Sequence, residues 1–203
     1  LGVLAGGAIT NTGSSGTITV TAKKLDIDNT ASISTTGSGS VTVLPPANGS
    51  ITISSAATTD LGIDDAELDR ILSPTPSILL GNSNSGALNI TNAITRPYNS
   101  NLTLTGNPIL PDVAGTDIDL AGGTLTLGSG AKLNIDIDGL TPDTEHKVLS
   151  VNGSINLNNA ILTFTGSSYV PVAGNTFAIV LNDGTDAITG TFNNLPEGAV
   201  IAN

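Results

Sequence analysis

Residues 125–135 read Leu125-Thr126-Leu127-Gly128-Ser129-Gly130-Ala131-Lys132-Leu133-Asn134-Ile135. Two apolar-polar-apolar triplets flank a turn of small residues. Alternation with period two sends one face of a strand into a core and leaves the other in water. Strands this short cannot hold a fold singly, so each triplet must lean on others. The same phrase recurs on either side: Ile18-Thr19-Val20, Leu25-Asp26-Ile27, Val41-Thr42-Val43, Ile51-Thr52-Ile53, Leu88-Asn89-Ile90 and Leu102-Thr103-Leu104 precede it, and Ile155-Asn156-Leu157 follows. Stacked in successive coils, such triplets build one continuous apolar column. The pattern therefore predicts an all-β solenoid with Ile18, Val20, Leu25, Ile27, Val41, Val43, Leu125, Leu127, Leu133, Ile135, Ile155 and Leu157 inside. Coils of roughly 20–25 residues, each with three short strands, give about 8 coils and a rod roughly 40 Å long.

An antiparallel sandwich also spaces short strands closely. It would need tight hairpins more often than this sequence offers them. Asn-Gly and Asp-Gly occur only at Asn48-Gly49, Asp138-Gly139, Asn152-Gly153 and Asp183-Gly184. Stacked coils are the favoured reading.

Composition agrees. Of 203 residues 38% are apolar but only 2% aromatic, so the core must be built from Val, Ile, Leu and Ala. Gly 24 and abundant Thr, Ser and Asn suit turns and polar strand faces. A formal net charge of −11 with six basic residues argues against nucleic acid and anionic lipid as partners. The absence of Cys removes disulfides and thiolate chemistry. The absence of Met points to a processed product or a piece of a longer chain. No apolar stretch is long enough for a membrane helix.

The chain divides into N-terminal coils over 1–58, a helical insertion over 59–76, central coils over 77–164 and a closing segment over 165–203, all within a single domain. In the insertion, Asp64-Asp65-Ala66-Glu67-Leu68-Asp69-Arg70-Ile71-Leu72 reads as one short helix. Acidic residues load its first turn, Leu68, Ile71 and Leu72 share a face, and Ser73-Pro74-Thr75-Pro76 stops it. It is expected to lean on the coil wall. Phe164, Tyr169, Phe177 and Phe192 gather near the end, as rings that would plug the column.

Candidate chemistry is sparse. Asp26/Asp28, Asp117/Asp119 and Asp136/Asp138 each flank an Ile that points inward, which places both carboxylates of a pair on the wet face. Stacking would bring pairs together as an acid/base couple for sugar cleavage or as oxygen ligands for Ca²⁺. The plain alternative is solvated carboxylates, and it is preferred. His146, the only histidine, lies in a loop-like stretch and reads as a surface residue. No nucleophile elbow, phosphate loop or calcium repeat is present. Asn48, Asn89, Asn101 and Asn152 head Asn-x-Ser/Thr triplets, which this composition gives by chance. Outward threonines such as Thr17/Thr19/Thr21 and Thr103/Thr105 form rows of the kind that order ice-like water. Those rows are interrupted and have no fixed period. No catalytic, cofactor or metal site is assigned.

Two stretches resemble a known class. Thr59-Asp60-Leu61-Gly62-Ile63-Asp64-Asp65-Ala66-Glu67-Leu68-Asp69-Arg70-Ile71 with Ile78-Leu79-Leu80-Gly81-Asn82 is similar to a unit of filamentous-haemagglutinin-like exoproteins. Gly123-Thr124-Leu125-Thr126-Leu127-Gly128, Val172-Ala173-Gly174-Asn175-Thr176-Phe177 and Gly190-Thr191-Phe192-Asn193-Asn194-Leu195-Pro196-Glu197-Gly198-Ala199 resemble passenger segments of autotransporter-like surface proteins. The resemblance implies a right-handed parallel β-helix, export to a bacterial surface, and work as stalk, adhesin or fibre rather than as an enzyme. The runner-up is a β-helix that binds or cleaves polysaccharide through the Asp pairs. The scarcity of Trp and Tyr, with only Tyr98 and Tyr169 present, weighs against it. Apolar segments at both termini suggest end-to-end self-association, or covalent neighbours in a longer exoprotein. A host or matrix glycan is a further conceivable partner.

Overall fold

The computed structural model describes residues 1–53, 61–73, 78–97, 100–110, 115–166, 169–184 and 186–199. Tyr98, the Pro74-Thr75-Pro76 stop, Pro111 and the last four residues lie outside them. In chain order the elements are β1 (Gly2–Val3), β2 (Ala8–Asn11), β3 (Ile18–Thr21), β4 (Asp26–Ile27), β5 (Ser32–Thr35), β6 (Val41–Leu44), β7 (Ile51–Ile53), β8 (Leu61–Ile63), α1 (Asp65–Asp69) and β9 (Ile71–Leu72). There follow β10 (Ile78–Leu80), β11 (Ala87–Ile90), β12 (Ile94–Thr95), β13 (Leu102–Leu104), β14 (Asn107–Ile109), β15 (Ile118–Leu127), β16 (Lys132–Asp136), β17 (Leu149–Asn156), β18 (Ile161–Thr165), β19 (Val180–Asn182) and β20 (Ile188–Thr189).

The chain is nearly all β, and every strand pairing among the described residues is parallel. The antiparallel sandwich is thereby excluded. The largest sheet runs β3-β6-β10-β13-β15-β17-β19, with β12 also on β15 and β20 also on β17. Its partners come from successive passes of the chain. Ile18 lies beside Val41, Val41 beside Ile78, Ile78 beside Leu102, Leu102 beside Leu125, Leu125 beside Ile155 and Ile155 beside Ile188. A second ladder runs β8-β7-β11-β14, and a third runs β2-β5-β9. Register is fixed because a slip of one residue would expose the whole apolar set.

Inward residues form a single cluster that spans these sheets. Eleven of the twelve predicted core positions are buried. Ile18 is only half-buried, because β3 is an edge strand with β6 on one side and, among the described residues, no strand on the other. Each fully buried Leu or Ile contributes about 1.5–3 kcal/mol.

The insertion departs from expectation. Leu61–Ile63 is a strand beside β7, and Ile71–Leu72 is a strand beside β5. Only Asp65–Asp69, five of the seven residues between them, are helical. So short a helix is not stable alone. It takes a place between β4 and β12, and side chains make the contacts a strand ladder would make. Glu67 Oε1 accepts from the Ile27 N–H at 3.1 Å, and Arg70 donates to the Ile27 carbonyl at 2.7 Å. On the other side Asp65 accepts from the Thr95 N–H at 2.9 Å and the Thr95 hydroxyl at 2.6 Å. A capping box starts the helix, with the Glu67 N–H donating to Asp64 Oδ1 at 2.6 Å and the Asp64 N–H to Glu67 Oε2 at 2.9 Å. Leu68 fills the core beneath it.

Candidate functional site

The predicted acidic pairs do not stack on one another. Asp26 lies beside Gly2, Asp119 between Thr95 and Asn152, and Asp136 beside Thr165. Each carboxylate meets a neutral residue on the neighbouring strand. Asp28 accepts from the Thr30 N–H and hydroxyl, which hold its carboxyl below the usual value. Asp119 accepts from the Ala121 N–H and the Asn152 amide, and Asp136 from the Thr165 hydroxyl. Asp26 lies 3.6 Å from Lys24 with both side chains exposed. Among the described residues no group of three His, Asp or Glu side chains is placed to hold a metal.

Asp117 corrects the expectation of a solvated carboxylate. It is 1% exposed. Its Oδ2 accepts from the Ser150 N–H at 2.9 Å, and its Oδ1 has no hydrogen-bond partner. Desolvation pushes its carboxyl up from 3.8 to about 6; the Ser150 N–H and Lys147 oppose the rise, and the nearby Asp143 charge adds to it. The triplet rule failed here because Asp117 precedes β15, where the alternation of that strand does not yet apply, and Lys147–Ser150 passes over it.

His146 is also buried rather than on the surface. Its Nδ1 lies 3.2 Å from the Gly139 carbonyl and its Nε2 3.2 Å from the Ala178 carbonyl. Phe177 packs edge-on against it at 5.5 Å, and Tyr169 against Phe177 at 6.1 Å. Tyr169 in turn donates to Asn175 at 2.8 Å. The Phe177 and Tyr169 rings border an open cleft of about 520 Å³, lined also by Ile137, Phe164, Pro171 and Ile179. Three of the four late aromatic residues thus surround a cleft, and only Phe192 enters the core as a plug.

One feature was not foreseen. Arg96 is buried and gathers the end of the helix: it donates to the Leu68 carbonyl, to the Ile71 carbonyl at 2.9 Å and to Ser100 Oγ at 3.1 Å, with Asp69 at 3.2 Å. Burial raises the Asp69 carboxyl, and Arg96 pulls it back. The outward threonines named above also line up across levels. Thr19, Thr42, Leu79, Thr103, Thr126, Asn156 and Thr189 are successive register partners, so a row with no period in sequence is one column in space.

No protein-family model matches the chain, and neither a curated protein nor a solved structure is significantly similar to it.

Proposed function

We propose that this chain is a right-handed parallel β-helix from an exported bacterial surface protein, and that its work is structural: a stiff rod serving as adhesin segment, stalk or fibre subunit. The observation that carries the reading is the seven-membered register from β3 to β20, in which one column is apolar and the adjoining column is Thr, Asn or Leu. Such a ladder gains stability with each added level, since each new level adds an interface with its neighbour. The polar side chains are spent on one another and on backbone, as at Asp28, Asp119 and Asp136. That arrangement supports scaffolding rather than turnover. The haemagglutinin-like and autotransporter-like motifs support export to the cell surface.

A glycan-binding role has one observation in its favour, the cleft between Phe164 and Tyr169. Electron microscopy of the native protein, with antibody labelling of intact cells, tests the main reading. Extended stalks or fibres labelled at the surface are expected. Compact particles confined to the cell interior would overturn it. Binding of a defined polysaccharide that is lost in Tyr169→Ala would favour the glycan reading.

A further inference from the structure

The open strand edges at the two ends of the stack are complementary. At one end lie β1, β2 and β3, and at the other β18, β19 and β20. β18 shows the geometry best. The Ile161 N–H donates to the Ala131 carbonyl at 2.7 Å, and the Thr165 carbonyl accepts from the Ile137 N–H at 2.8 Å. Alternate residues of a parallel strand serve opposite neighbours. The N–H and C=O groups of Leu162 and Phe164 therefore face away from β16, and among the described residues no strand pairs with them. Phe164 sits over buried Ile135 yet is 39% exposed, and Ile188 sits over buried Ile155 yet is 43% exposed. Both are inward positions that lack a next level. At the far end Leu4 is 81% exposed, and Ile9 and Ile18 are half-buried.

We infer that the occupant of the β18–β20 edge is the β1–β3 edge of a second copy, stacked head to tail. This rests on the β-helical reading above. Polarity favours it: all named strand pairings are parallel, so a second copy translated along the stack presents strands in the same direction, whereas a copy turned end for end presents them antiparallel. The chemistry of the arriving level favours it too, since Ile18-Thr19-Val20 has the alternation that most internal levels use. Charge disfavours one alternative. Lys23 and Lys24 at the first end are balanced by Asp26 and Asp28, with Lys24 3.6 Å from Asp26. The last level carries Asp183, Asp186 and Glu197, so a tail-to-tail contact would set acid against acid and a head-to-tail contact does not. The contact is heterologous and extends into an open filament unless its rotation closes.

Light scattering across a concentration series, with electron microscopy of the same samples, tests this on the 203-residue chain. The mass should rise with concentration, and unbranched filaments should appear. Phe164→Lys with Ile188→Lys should abolish the growth while the circular dichroism and melting temperature of the monomer stay unchanged. Lys23→Glu with Lys24→Glu should weaken it, and adding Asp186→Lys with Glu197→Lys should restore it. A chain that stays monomeric throughout, or association indifferent to these substitutions, overturns the proposal. A monomer whose small-angle scattering still fits the stacked strands would leave the β-helical reading standing, whereas a profile that does not fit would remove that reading itself.

Discussion

Asp117→Asn should remove a pH-dependent part of the protein's stability. The ionised Asp117 is buried with one oxygen unpartnered, and its carboxyl titrates near 6 instead of 3.8. A folded-state value above the unfolded one means that the native protein holds the proton more tightly. Stability from this group is therefore complete below about pH 4 and is lost as pH rises through 6. The loss is roughly 3 kcal/mol, at about 1.4 kcal/mol for each tenfold change in proton affinity. For a chain of this size that corresponds to a fall of about 6–12 °C in melting temperature. The assay is thermal unfolding by circular dichroism at pH 4.5 to 8, for wild type and variant side by side. Asn stays neutral throughout and keeps an oxygen for the Ser150 N–H. The variant should lose this slope, so that the difference between the two proteins grows in its favour as pH rises. General repulsion at net charge −11 acts on both and cancels in the difference. Equal slopes in the two proteins, or a wild type that gains stability between pH 4.5 and 7 relative to the variant, would refute the reasoning.

Other substitutions probe the helix and the close approaches. Arg96→Met strips two buried carbonyls of their donor and should cost about 2–5 kcal/mol in urea unfolding at unchanged m-value. Asp64→Ala removes the helix cap and should cost about 1 kcal/mol by the same measurement. Gly123→Ala drives a methyl group into the Ser100 backbone and should destabilise by about 1–3 kcal/mol or more, while Gly2→Ala, where the methyl meets open space, should be neutral.

The triplets were legible because alternation with period two is itself a statement about sidedness, and it located eleven of twelve core positions. It failed at Ile18 because edge position is a property of the stack and not of the residue. Asp64 to Leu72 announced a helix by its cap and acidic first turn, but Ile71 and Leu72 fit a helical face and a strand equally well. The pairing with β5 decided for the strand. Burial of Asp117 and His146 depends on segments that pass over them from 30 or so residues away, which local pattern does not encode. Arg96 was missed for the same reason: its three principal acceptors are united only once the helix is seated between β4 and β12. The threonine rows show no period in sequence because the passes differ in length, so equal spacing in space is unequal spacing in sequence.

The parallel register is the claim on which the rest depends, and paired cysteines test it most directly. The native chain has no Cys, so an introduced pair reports only on itself. Thr103→Cys with Thr126→Cys, and Thr19→Cys with Thr42→Cys, place thiols on register partners of adjacent strands. Adjacent strands lie about 4.8 Å apart, within the Cα separation that a disulfide spans. Mild oxidation should cross-link both pairs, and the control Thr19→Cys with Thr126→Cys, several levels apart, should stay reduced. Failure of both adjacent pairs to link, or linkage of the distant control within a monomer, would contradict the stacked parallel fold.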